Sequence, residues 1–120
     1  MATLTPTLTL TSSDTSSDAL SLTVTDSLTV TVPNVDVQRK SIPTSFTEIF
    51  SSDVQATYVY FKNTDSSNVV VLREGVGNQG IIDLAAGEFC FLPLKANVGI
   101  DAQSVGGACV LEYGYWTKSI

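Results

Sequence analysis

The chain has 120 residues, 43% of them hydrophobic and only 15% charged, with a formal net charge of −6 and no histidine. That length holds one core rather than two. With no basic cluster, the sequence gives no basis for phosphate neutralisation on nucleic acid or attraction to an anionic membrane, and the missing histidine rules out nucleophile–histidine catalysis.

The charge is replaced by hydroxyls and β-branched side chains: Ser and Thr fill 29 positions and Val another 14. Such residues fit a pleated surface and lose rotamer freedom in a helix. The expected fold is all-β, an antiparallel β-sandwich of jelly-roll type with an extended N-terminal strand or arm. The start, Met1-Ala2-Thr3-Leu4, shows neither the basic region nor the apolar run of a secretory leader. No stretch approaches the roughly 18 apolar residues of a membrane span. The expectation is therefore a soluble chain made in a cytoplasm.

Half of the first 32 residues are Ser or Thr, and no Lys or Arg precedes Arg39. From Thr3 to Leu10 polar and apolar residues alternate, which predicts a strand with one buried face, and Pro6 demotes it to an edge strand or arm. A polar loop, Thr11 to Asp18, closes this arm, and a single sandwich domain is expected over residues 19–120. Ser21-Leu22-Thr23-Val24-Thr25 then recurs as Ser27-Leu28-Thr29-Val30-Thr31. The offset keeps Leu22, Val24, Leu28, Val30 and Val32 on one face, as one strand bent at Asp26-Ser27 or as two strands with a tight turn.

Val35 to Ile42 reads as a strand ending at Pro43. Phe46 to Phe50 has the spacing of a short strand or one helical turn and is read as a strand. Ala56 to Lys62 is a strand rich in β-formers, closed by a hairpin-type loop, Asn63 to Asn68. Val69 to Glu74 reads as a strand buried on both faces over most of its length. Gly75 to Gly80 is a turn, Ile81 to Leu84 a strand, Ala85-Ala86-Gly87 a turn, and Glu88 to Leu94 the returning strand. Val98 to Ala102 and Ala108 to Trp116 complete eight to ten short strands with no amphipathic helix. This pattern suits two stacked sheets.

Chemistry-bearing constellations are sparse. Glu74, Glu88 and Glu112 offer carboxylates for a glycosidase-style pair, yet each falls at a strand end or an exposed strand position. Gly75-Val76-Gly77-Asn78-Gln79-Gly80 spaces glycines like a dinucleotide loop but opens no helix. Asp14, Asp18, Asp26 and Asp65 lie in loops without the ordered ligand spacing of a calcium site. Cys90 and Cys109 sit in apolar strands as buried thiols or a cross-strand disulfide, and the sequence leaves both open. No enzyme, cofactor or metal is expected. Tyr113, Tyr115 and Trp116 form a terminal aromatic cluster, with Tyr113 and Tyr115 on one face. Core packing, a protein interface and a sugar-binding platform are all open to it.

From Tyr60 onward the sequence resembles small structural proteins of tailed-bacteriophage virions. The resemblance rests on Tyr60-Phe61-Lys62-Asn63-Thr64-Asp65, Val69-Val70-Val71-Leu72, Leu84-Ala85-Ala86-Gly87-Glu88-Phe89, Leu92-Pro93-Leu94 and Val110-Leu111-Glu112-Tyr113. In order and turn chemistry these are similar to capsid decoration (cement) proteins and to some tail or fibre β-domains. The resemblance covers about the last half of the chain. It implies a sandwich on the capsid exterior that bridges subunits of the major capsid protein, clusters with copies of itself as a homotrimer, and carries no catalytic residues. The expected contact residues are the arm, Thr3, Leu4, Thr5, Pro6, Thr7 and Leu8, continuing to Leu10, and the anchors Tyr113, Tyr115 and Trp116. A tail, baseplate or fibre domain and a carbohydrate-binding module are the alternatives.

Overall fold

The computed structural model describes residues 2–14, 19–31, 35–50, 56–75 and 79–119. Among them every regular element is a strand: β1 (Ala2–Leu4), β2 (Thr7–Ser12), β3 (Leu20–Thr25), β4 (Leu28–Val30), β5 (Val35–Ile42), β6 (Thr47–Phe50), β7 (Thr57–Asn63), β8 (Val69–Arg73), β9 (Gly80–Leu84), β10 (Phe89–Leu94), β11 (Ile100–Val105) and β12 (Cys109–Thr117). The chain divides into two compact units, residues 1–32 with 119–120, and residues 33–118. The division falls after residue 32, not after residue 18, because β3 is the ladder partner of β2.

The first unit is a ribbon. Ala2 faces Val30 and Leu4 faces Leu28 in β1–β4, while Thr7 faces Thr25 and Ser12 faces Leu20 in β2–β3. Both ladders share one register, so they are two halves of a single long hairpin. Between them lie Thr5-Pro6 on one strand and Asp26-Ser27 on the other. Proline has no N–H to give the ladder, and the one bond across this gap runs from Asp26 N to Pro6 O at 3.3 Å. The near-repeat is therefore one strand path interrupted opposite Pro6. Ser119 N adds a bond to Thr29 O.

The second unit is an antiparallel sandwich of two four-stranded sheets, ordered β10-β7-β12-β5 and β6-β11-β8-β9. β5 pairs with β12, β6 with β11, β7 with β10 and β8 with β9. The eight strands thus form one long antiparallel ribbon rolled onto itself into two sheets. The Asn63–Asn68 segment is not a hairpin loop: β7 and β8 lie in different sheets, and the segment carries the chain between them. Ala85-Ala86-Gly87 likewise crosses from β9 to β10.

Period two decides what is inside. Val59 and Phe61 from β7, Leu111 and Tyr113 from β12, and Ile42 from β5 meet Val70 and Leu72 from β8, Leu84 from β9 and Ala102 from β11 in one core. Each such aliphatic or aromatic side chain contributes on the order of 1.5–3 kcal/mol by leaving water. Val69 and Val71 point the other way and are half-buried, so β8 is covered on one face only. Among the described residues two polar side chains, Asn63 and Ser104, sit fully inside, and Asn63 is the larger. Asn63 Nδ2 donates to Asn68 O at 2.7 Å and Leu84 O at 2.9 Å, and its Oδ1 accepts from Asp65 N at 3.0 Å. This amide ties the β7–β8 crossover to the end of β9, and its burial is tolerated because these bonds satisfy it.

Candidate functional site

Several of the residues that suggested chemistry are engaged in holding turns. Glu88 accepts from Ala85 N at 2.7 Å and closes the turn before β10. Asp65 Oδ2 accepts from Ser67 N at 3.0 Å and Asn68 N at 2.7 Å, and these backbone bonds hold its carboxyl below the usual carboxylate range. Asp26 accepts from Ser27 N and Asp14 from Ser12 Oγ. Asp18, Val32 and positions 76–78 of the glycine loop lie outside the described residues. Among the described residues no cluster of three or more His, Cys, Asp or Glu side chains is placed to hold a metal. Cys90 and Cys109 are free thiols, and burial pushes both up in pKa, which disfavours the reactive thiolate.

The terminal aromatics separate by parity. Tyr113 is 8% exposed and belongs to the core, and Tyr115 packs against that core from the same face. Trp116 faces outward. Its indole lies over Gly114, where a Cβ would come within 3.1 Å of the ring, beside Val37. A glycine at position 114 leaves the strand a floor on which the indole rests.

Around Trp116 the outer face of the β10-β7-β12-β5 sheet is aromatic and cationic. Register places Trp116 beside Tyr58, Tyr58 beside Pro93, and Tyr60 beside Phe91. The Tyr58 and Phe91 rings stack with centroids 6.1 Å apart and planes 12° from parallel. Phe89 is 63% exposed, and Phe91, Val37 and Val110 are exposed as well. Lys118 Nζ lies 4.9 Å from the Tyr58 centroid. Arg39, Lys62 and Lys118, half of the six cations in the chain, stand on this face. The only carboxylate beside them among the described residues is Glu112. It accepts from Tyr60 Oη at 2.8 Å and from Arg39 Nε at 3.2 Å. The Tyr60 hydroxyl, then the Arg39 guanidinium, hold Glu112 below its ordinary pKa.

A second uncovered surface lies on the ribbon. Even positions form its apolar face and odd positions a hydroxyl face. Of the expected arm residues, Thr3, Thr5 and Thr7 are exposed on the hydroxyl face, Leu4 and Pro6 are half-buried, and Leu8 is exposed on the apolar face. Leu10, Leu20, Leu22 and Val24 continue that face and are exposed too. The arm is thus one strand of a hairpin, not a lone extended segment. The contribution of β3 was readable from its alternation, but its pairing with β2 was not. Likewise Phe89, Phe91 and Val110 alternate with core residues in sequence, and only the packed sandwich shows which parity faces out.

No family model matches the chain, and neither curated proteins nor solved structures give a match.

Proposed function

We propose that the protein is a structural component of a tailed-phage virion that decorates the capsid exterior and bridges subunits of the major capsid protein, as a homo-oligomer and without catalysis. The observation that carries the reading is the outer face around Trp116. An acidic chain concentrates half its cations there, among exposed Phe89, Phe91, Val37 and Val110. Uncovered aromatic surface of this kind marks a protein contact, and its positive rim suits a partner surface rich in carboxylates. The resemblance of the turn segments to those of decoration proteins, read from the sequence, is in keeping with the same reading.

The stacked Tyr58–Phe91 pair beside Trp116 also favours a second reading, a carbohydrate-binding module whose rings lie against sugar faces. A tail, baseplate or fibre position is the variant within the virion.

Trp116 is the only tryptophan, so its fluorescence reports on this face alone. Titration with heads stripped of the protein should shift the emission to the blue and shield the indole from iodide. Rising salt should weaken binding. Phe89→Asp should weaken it while leaving the fold intact by circular dichroism. Binding to isolated tails but not heads would move the protein to the tail. A hit on a glycan array without any binding to particles would establish the sugar reading instead.

A further inference from the structure

The ribbon changes character at one level along its length. At its base Val30 is 2% exposed, and Ala2, Leu4, Pro6 and Leu28 are half-buried. Ser119 N also bonds Thr29 O there. Past Pro6 on one strand and ahead of Leu28 on the other, every described side chain except Ser12 is exposed, on both faces.

The backbone ladder breaks at the same level. Leu4 lies opposite Leu28 and Thr7 opposite Thr25, so Pro6 stands opposite Asp26. The bond from Asp26 N to Pro6 O marks these two as a hydrogen-bonded pair. In an antiparallel ladder such pairs alternate with unbonded ones. Thr5 and Ser27 are therefore an unbonded pair, and the nearest bonded pairs are Leu4 with Leu28 and Leu8 with Val24. Proline has no N–H, so the return bond to Asp26 O cannot form. The bond that does form is long, at 3.3 Å. Asp26 Oδ1 meanwhile accepts from the adjacent Ser27 N at 2.7 Å, a local bond that competes with the ladder.

Beyond the break the two strands keep their own pairing. Thr7 Oγ1 lies 3.2 Å from Thr25 Oγ1, and Thr9 faces Thr23 on the same side. On the other side Leu8 faces Val24 and Leu10 faces Leu22. Matched cross-strand pairs on both faces stabilise the couple, so the exposed half holds together as a unit while its connection to the base is thin.

The geometry points to a hinge at Thr5-Pro6 and Asp26-Ser27. Residues 7–12 and 20–25 swing about it as one paired body, while residues 2–4 and 28–30 keep their place. Motion of such an arm belongs to the nanosecond-to-microsecond range. It carries the exposed hairpin through a range of directions from a fixed base. The hinge concerns the ribbon alone and needs no assignment of function, so it stands or falls apart from the Trp116 face.

Backbone amide relaxation of the isotope-labelled full chain is expected to show a step. Order parameters should drop together across residues 7–12 and 20–25 and stay high in residues 2–4 and 28–30. Hydrogen exchange should still find the Leu8 and Val24 amides protected, because their pairing persists. Pro6→Thr supplies the missing donor opposite Asp26 O. It should raise the order parameters of the exposed half toward those of the base and slow exchange at Leu8 and Val24 roughly 5-fold, the effect of one backbone hydrogen bond. Thr5→Val, at a position whose N–H points away from the partner strand, should change neither. Order parameters that fall gradually toward the tip would mean fraying rather than a hinge, and equal values along the whole ribbon would mean a rigid arm. Pro6→Thr moving like the wild type would show that the missing bond is not the cause. Each of these three results would overturn the inference.

Discussion

Tyr60, Glu112 and Arg39 meet on the outer face of the sandwich, and their bonds make stability depend on pH at both extremes. Burial first, and then the hydrogen bond to the Glu112 carboxylate, push the Tyr60 phenol from 10.0 up to about 12. The unfolded chain loses this proton at the lower value, so the contribution is complete below pH 10 and is lost as pH rises toward 12. Glu112 runs the opposite way. Its folded pKa lies below the ordinary 4.5, so its contribution is complete well above that value and is lost as pH falls through the folded pKa. Spectrophotometric titration should find one of the four tyrosines ionising last. Glu112→Gln should bring that titration down toward, but not to, the ordinary value, because burial of the ring persists. An unchanged high-pH transition in the variant would mean that the carboxylate plays no part.

Turns decide how the strands are delivered to their sheets. Between β11 and β12, Gly106 has φ +99°, and a Cβ there would meet Asn68 Oδ1 at 2.7 Å. Asn68 N is itself bonded to the Asp65 carboxylate, so the clash falls on the loop that carries the chain from β7 to β8. Gly87, between β9 and β10, has φ +80° with nothing within 4 Å of the added carbon. Gly87→Ala should therefore cost only the left-handed backbone penalty, roughly 1–2 kcal/mol. Gly106→Ala should cost more, about 2–4 kcal/mol, through strain plus displacement of Asn68. Urea midpoints of the two variants measure the difference, and equal shifts would show that Asn68 moves aside freely.

Residues 33–118 contain a complete core and all eight strands of the sandwich, so this segment should fold without the ribbon. Because β5 pairs with β12 across nearly the whole unit, the closing contacts span long loops, and folding should be slow, in the range of milliseconds to seconds. A chain of residues 33–118 is expected to unfold cooperatively by circular dichroism and to refold on that timescale in stopped flow. A broad, non-cooperative melt would show that the ribbon completes the sandwich.

Alternation is a local property, and the residues alone reveal much of what depends on it, although β11 runs Ile100–Val105 rather than Val98–Ala102 and β8 is covered on one face rather than two. Val35–Ile42 was read with its observed bounds, the strand around Tyr58 to Lys62 is displaced by one residue, and the shared face of Tyr113 and Tyr115 is real. The all-β antiparallel sandwich was legible for the same reason, since β-branched composition and evenly spaced turns leave few other architectures. Pairing is not local. Whether Asn63–Asn68 closes a hairpin or crosses between sheets depends on strands far away in the chain, and so does the joining of residues 20–30 to the ribbon. Parity sorts Trp116 away from Tyr113, but it cannot say which of the two points to water. That choice is made only when a second sheet arrives to cover one side, because burial is a relation between surfaces rather than a property of a strand.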